Sequence, residues 1–170
     1  MQDDLTILPA TPDDAETINR LFYEAAAWLH SRGIHQWDAV WPPAESHQAA
    51  TRERIARGWS YLARRGAQVA GTLTLQPADP KLWGEDVDAA LYVHGLAISR
   101  AYAGQGVGRA MLGWAEQQAI ARGRRWLRLD CMATNADLRD YYRRAGFTFM
   151  REIGDGMRRK AALFEKPIAP

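Results

Sequence analysis

The residues Ala103-Gly104-Gln105-Gly106-Val107-Gly108-Arg109 place three glycines at alternate positions, followed at once by a cation. A main chain without side chains is unshielded. If a helix starts here, its first amides have no intrahelical acceptor, and the helix dipole adds to their pull on an anion. The chemistry this spacing fits is the holding of a phosphate-bearing ligand. Two common phosphate loops are excluded. No Gly-Lys-Ser/Thr follows, so this is not a nucleotide triphosphatase loop. The glycines are not spaced for a dinucleotide fold, and they lie far from the first strand–helix unit such a fold would use.

To work in this way the turn must sit between a strand and a helix. Leu91–Ile98 is an apolar run before it, and Met111, Leu112, Ala115 and Ala119 fall at helical spacing after it. A second segment, Trp126–Cys131, in which Arg128 and Asp130 interrupt the apolar residues, predicts the strand that follows the helix. Gly95, inside the first of these strands, points to a bulge or a close approach of backbone.

The remaining elements follow in chain order. Leu5–Pro9 reads as a strand, and Thr11-Pro12-Asp13-Asp14 as a helix start with Thr11 as cap. Ile18, Leu21, Phe22, Ala25 and Leu29 give that helix one apolar face, and Gly33 ends it. His35 to Pro43 reads as a loop rich in aromatic residues, and a second helix is predicted over Glu45–Arg57. Ser60–Arg64 and Gln68–Gln76 predict a hairpin, followed by a polar loop from Gln76 to Asp88 that holds Trp83. Asn135 caps a fourth helix running to Ala145, where Gly146 stops it. Phe147–Ile153 and Met157–Glu165 predict a closing antiparallel pair around Gly154-Asp155-Gly156.

Composition bounds the class. A chain of 170 residues suits one domain, here expected over residues 1–170. A net charge of +2 with no basic block argues against a nucleic-acid partner. The single cysteine, Cys131, cannot form an intramolecular disulfide and fits a reducing compartment. No run has membrane-spanning length and no apolar signal core opens the chain, so a cytoplasmic protein without a membrane partner is expected. Four histidines and one cysteine form no metal-ligand spacing, so no metal is expected.

Two signatures in order resemble the GNAT superfamily of acyl-CoA-dependent N-acetyltransferases. The first is its pyrophosphate loop, Arg/Gln-x-x-Gly-x-Gly/Ala, matched at Gly106 and Gly108, with Ala103 in place of the usual Arg or Gln. The second is Asn135, a helix bearing Tyr142, then Gly146-Phe147. The resemblance implies a mixed α/β fold: a twisted central sheet of about seven strands flanked by about four helices, with strands four and five splayed. Acetyl-CoA would be the co-substrate. Its phosphates would meet Gly104, Gln105, Gly106, Val107, Gly108 and Arg109, and its arm would meet Leu96, Ala97, Ile98 and Asn135. A small-molecule amine is expected as acceptor ahead of a protein, although a polyamine, an aminoglycoside, an amino acid or a protein N-terminus would all fit, and a homodimer is common among the proteins this chain resembles.

Acyl transfer to an amine needs a proton acceptor for the ammonium, fixed donors for the carbonyl oxygen, and a proton donor for the leaving thiolate. Tyr142 matches the family tyrosine near the CoA sulfur and is assigned as the general acid and a cofactor contact. The alternative is a core tyrosine at helical spacing with Leu138 and Ala145. His94 is similar in position to a strand-four histidine of the arylalkylamine N-acetyltransferases and is assigned as the base, with a structural histidine as the alternative. Tyr92 lies two residues away, on the same sheet face. His35, Trp37, Trp41 and Tyr92 are the acceptor-site candidates, with Asp38 and Glu24 in reserve; Trp37 and Trp41 would otherwise pin the loop to the core. Arg143 and Arg144 are either phosphate contacts or solvated arginines, and Cys131 is taken as packing. The reading is an N-acetyltransferase that acts directly on a primary amine. The alternative is a non-catalytic acyl-CoA-binding or sensing module on the same fold.

Overall fold

A helix needs a defined start and a face to bury, and the N-terminal segment has both. Asp14 Oδ2 accepts the backbone N–H of Thr11 at 2.8 Å and its hydroxyl at 2.9 Å. Pro12–Asp14 form a 3-10 turn that runs into α1 (Ala15–His30), which buries Ile18, Leu21, Ala26 and Leu29. Of these, Ile18, Leu21 and Leu29 each contribute about 1.5–3 kcal/mol when fully buried.

The computed structural model describes residues 4–85, 89–154 and 160–168. After β1 (Leu5–Pro9) and α1 come α2 (Glu45–Ala56), β2 (Ser60–Arg65) and β3 (Gln68–Gln76). Then follow α3 (Pro80–Trp83), β4 (Ala90–Ile98), α4 (Val107–Ala121), β5 (Trp126–Met132), α5 (Ala136–Arg144), β6 (Thr148–Ile153) and β7 (Ala161–Pro167). The strands make a seven-stranded mixed sheet in the order β1-β2-β3-β4-β5-β7-β6. β4 and β5 run parallel, and their paired register ends at Val93↔Leu129 although β4 continues to Ile98 and β5 to Met132. The antiparallel partners of β7 are β5 and β6.

The central strands read as continuous buried runs. Ala70–Leu75 and Ala90–Val93 are buried at every position, as expected of strands covered on both faces. The alternation visible in Val69, Gly71, Leu73 and Leu75 is therefore only half of the β3 pattern.

Packing divides the chain into two units, the first running through Thr74 and adding Gly95–Leu112, the second holding Leu75–His94 and the residues from Gly113 onward. In the first unit, Ala10, Ile18, Leu21, Ile55, Leu62 and Ala97 form a core, with Phe22, Ala25, Trp37 and Val69 packed on it. Thr51 donates its hydroxyl to Asn19 Oδ1 at 2.7 Å, which ties α2 to α1. In the second unit, Leu91, Leu127, Leu129, Leu163 and Phe164 are almost fully buried. Arg128 on β5 faces Glu165 on β7 in register and donates Nε to Glu165 Oε2 at 2.6 Å.

Three expectations change. The polar loop after β3 contains α3, which Asp79 caps by accepting the N–H of Leu82 at 3.3 Å. The first of the final strands is Thr148–Ile153, not Phe147–Ile153, and among the described residues the second is Ala161–Pro167, which runs past the expected end at Glu165. Phe147 is buried and serves the core ahead of β6. The expected turn at Gly154-Asp155-Gly156 lies largely outside the described residues, since Asp155, Gly156 and Met157 are not among them.

Candidate active site

The first unit carries the glycine turn. A 3-10 turn, Arg100–Tyr102, leads into it and α4 leads out. Gly104 and Gly106 have φ of 74° and 78°, which favours glycine, and both are exposed with open space where a side chain would stand. Within the turn, Ala103 and Gln105 donate their N–H groups to the carbonyls of Arg100 and Tyr102 at 3.3 Å. The first bond of α4 is Ala110 N–H to Gly106 O at 3.0 Å, so the amides of its opening turn have no intrahelical acceptor. Val107 is 1% exposed and pins the turn to the interior, while Arg109 is exposed.

Arg65 reaches this turn from β2. It donates Nη1 to Gln105 Oε1 at 2.9 Å and Nη2 to Gln105 O at 3.4 Å. Gln105 Nε2 in turn donates to Ala101 O at 3.0 Å. A guanidinium from another strand thus meets a turn that has alanine at position 103.

The end of β4 in this unit is shaped by Gly95. Its φ is 55°, and a side chain there would stand 2.8 Å from the ring of Phe22. The residue is glycine both for its backbone and for that approach. Beyond it, Ala97 is buried, and Leu96 and Ile98 are half-buried.

The aromatic loop also belongs to the first unit. Trp37 meets Phe22 edge-on at 5.4 Å and packs on the core. His35 lies against His30 at 4.3 Å between ring centres. Trp41 lies 5.7 Å from Tyr23 and under the guanidinium of Arg20 at 4.2 Å. It lines a cavity of about 440 Å³ together with Asp13, Glu16, Asn19, Pro43 and Arg52. Glu24 and Asp38 are exposed.

The second unit carries the titrating groups. His94 stands between two carboxylates, with Nε2 3.2 Å from Asp79 Oδ2 and Nδ1 3.3 Å from Asp130 Oδ1. Burial disfavours the charged imidazole, but hydrogen bonds and charge from Asp130 and Asp79 more than offset it and raise its pKa to about 9. At neutral pH it is an imidazolium. Tyr92 is buried with its hydroxyl accepting from Arg128 Nη1 at 3.1 Å.

Tyr142 is 5% exposed, ringed by Tyr141, Phe147 and Phe164 with ring centres 5.7–6.0 Å away. Burial first, then the neighbouring Cys131, Asp130 and Tyr141, push its pKa well above the phenol range, so it keeps its proton. Asn135 is buried and accepts the N–H of Leu138 at 3.1 Å as the cap of α5. Arg143 pairs with Asp140 at 2.8 Å, and Arg144 is exposed. Cys131 is buried. Burial first, and then Asp130, raise its thiol to about 12, which leaves it a poor nucleophile.

Asp79, Asp130 and Arg65 are absent from the candidates read off the sequence. Two signals pointed toward the first two. Asp79-Pro80 is a helix-start pair. Asp130 comes one residue after Leu129, just as His94 comes one after Val93, so the parallel register brings them to neighbouring positions. No signal in the sequence pointed to Arg65.

Comparison with known proteins gives a consistent picture. The profile of the acetyltransferase (GNAT) family matches residues 20–147. The uncharacterized N-acetyltransferase YesJ of Bacillus subtilis (strain 168) is 36% identical over 165 residues, covering 94% of this chain and 88% of that protein. An acetyltransferase of the GNAT family from Listeria monocytogenes 4b F2365 superposes with a TM-score of 0.76 at 28% identity, covering 96% of this chain and 94% of its own. The Salmonella typhimurium protein yncA, solved with its cofactor acetyl-CoA, superposes with a TM-score of 0.69 at 17% identity, covering 98% and 95%, and shows likeness of fold.

Proposed function

Since the chain belongs to the acetyltransferase (GNAT) family and is an N-acetyltransferase, we propose that it moves the acetyl group of acetyl-CoA directly to the primary amine of a small molecule. The observation that carries the reading is the exposed glycine turn at the head of α4, with positive φ at Gly104 and Gly106 and amides free of intrahelical acceptors. Gly104, Gln105, Gly106, Val107, Gly108 and Arg109 hold the diphosphate, and Leu96, Ala97, Ile98 and Asn135 meet the cofactor arm. The whole chain acts as one acetyltransferase domain.

Direct transfer fits the chemistry of the groups present. An acyl-enzyme would need an activated nucleophile, and the one thiol is buried and held protonated. Amine and thioester then meet without an intermediate. His94 takes the ammonium proton in its neutral form. With a pKa near 9 it is scarce as a base at pH 7 but well matched to an alkylammonium, whose pKa is about 10. Tyr142, the residue assigned as general acid, keeps its proton at every working pH and steadies the departing sulfur by donating a hydrogen bond to it. Tyr92 sets the surroundings of His94 on the same strand.

A small acceptor is in keeping with the cavity beside Trp41, whose 440 Å³ suits a small ligand and whose wall carries Asp13 and Glu16 together with Arg52. His35 and Trp37 complete the aromatic loop from which Trp41 projects. Calorimetry with CoA and acetyl-CoA, followed by an acetyl-CoA consumption screen over an amine panel, tests the reading. Micromolar uptake of CoA and release of thiol with a small amine are expected. No CoA uptake by folded protein would end it.

A further inference from the structure

We propose that Asp79 is a positioning residue for acetyl transfer, and that α3 exists to deliver it, with Trp83 as the anchor that fixes α3. The inference rests on the reading of the protein as an acetyltransferase that uses His94.

A four-residue helix has too few hydrogen bonds to be stable alone. α3 is held instead at both ends. At its start, Asp79 Oδ1 accepts the N–H of Leu82, and Oδ2, fully buried and without a regular hydrogen bond, meets His94 Nε2 as an ion pair at 3.2 Å. At its end, two guanidinium groups lie against the Trp83 ring, Arg128 at 4.7 Å and Arg151 at 5.5 Å, with Tyr92 at 6.3 Å. Arg151 also donates Nη2 to the carbonyl of Leu82 at 3.1 Å. Arg128 is itself immobilised by Glu165 and Tyr92. A tryptophan face flanked by cations is favourable, more so where water is excluded.

Alternation along the strands explains why both ends land where they do. Tyr92 and His94 share one face of β4, and Arg128 and Asp130 share one face of β5. The segment 79–83 covers that patch, with Trp83 over Tyr92 and Arg128, and Asp79 at His94. The charged groups acting on His94 are Asp79 from the segment ahead of α3 and Asp130 from β5. Arg128, next along that face, is taken up by Glu165 and Tyr92. With both ring nitrogens facing carboxylates, the ring cannot flip or drift without losing a partner. When it loses a proton, the remaining N–H still has a carboxylate to accept it, whichever ring nitrogen carries it.

The test is an NMR titration of His94, identified by comparison with His94→Gln, in the full-length protein and in Asp79→Asn, Trp83→Ala and Trp83→Phe. The wild-type midpoint is expected near 9. Asp79→Asn should lower it by at least about one pH unit. Trp83→Ala should lower it as well, although residue 83 touches neither carboxylate, and Trp83→Phe should restore most of the shift. In steady state above about pH 9, where His94 is neutral in every variant, Asp79→Asn and Trp83→Ala should lose at least about tenfold in kcat with little change in KM for acetyl-CoA. An unmoved midpoint in folded Asp79→Asn overturns the inference even if acetyl transfer is found. Midpoints unmoved in both Trp83 variants remove α3 from it. Tight Zn²⁺ uptake by the wild type would also overturn it, since the three side chains would then be metal ligands. If no amine in the panel is acetylated, the reading beneath it fails, whatever the titration gives.

Discussion

His94 makes opposite demands on stability and on activity. Its folded pKa, about 9, lies above the ordinary 6.5, so the folded state binds the proton more tightly than the unfolded chain. The stabilisation is therefore complete below pH 6.5 and disappears as pH rises through 9. Its upper bound is about 3 kcal/mol. Urea unfolding of wild type and His94→Gln should differ most at pH 6 and converge near pH 10. A base must be unprotonated, so kcat/KM should climb to a plateau above about pH 9, measured with an acceptor whose own amine titrates well below that. A limb centred near 6.5 would remove His94 from the proton path. Cys131 offers a simpler check at this scale. With its thiol raised to about 12 and buried, it should resist a thiol reagent at pH 8 in the native protein and react fully in denaturant.

Among the elements, the hairpin and the glycine turn are joined by one side chain. Arg65→Ala removes both hydrogen bonds to Gln105 and should weaken CoA binding about tenfold by calorimetry while leaving kcat at saturating CoA nearly unchanged. Arg65→Lys, which keeps a charge but loses the fork, should recover only part. Gly95→Ala tests β4. An alanine at φ 55° and 2.8 Å from the Phe22 ring should cost about 2–4 kcal/mol, or roughly 5–12 °C in Tm, read by calorimetric melting. What was legible in the sequence follows the same division. Gly95 and the glycine turn announce themselves because glycine has local backbone meaning, and long amphipathic segments such as α1 because their period repeats. α3 escapes a periodicity reading because four residues do not complete a pattern. Arg65 and Asp79 escape because their partners lie 40 and 15 residues away, at distances set by folding and not by spacing.

Over the whole molecule, the family architecture was readable from two short signatures and the order of strands and helices. The pairing of β7 between β5 and β6 was not, because strand order is a tertiary fact. That insertion has a consequence for synthesis. While the chain emerges from the ribosome, β5 is made well before the strand that separates it from β6, and β6 is made just before that strand. Until residues 161–167 arrive, the outer edge of β5 offers unsatisfied main-chain groups to whatever strand is near, including β6 in a wrong register or another nascent chain. Slow elongation through the codons that lead up to and include residues 161–167 should therefore raise the aggregated fraction, and a chaperone present at that moment should lower it.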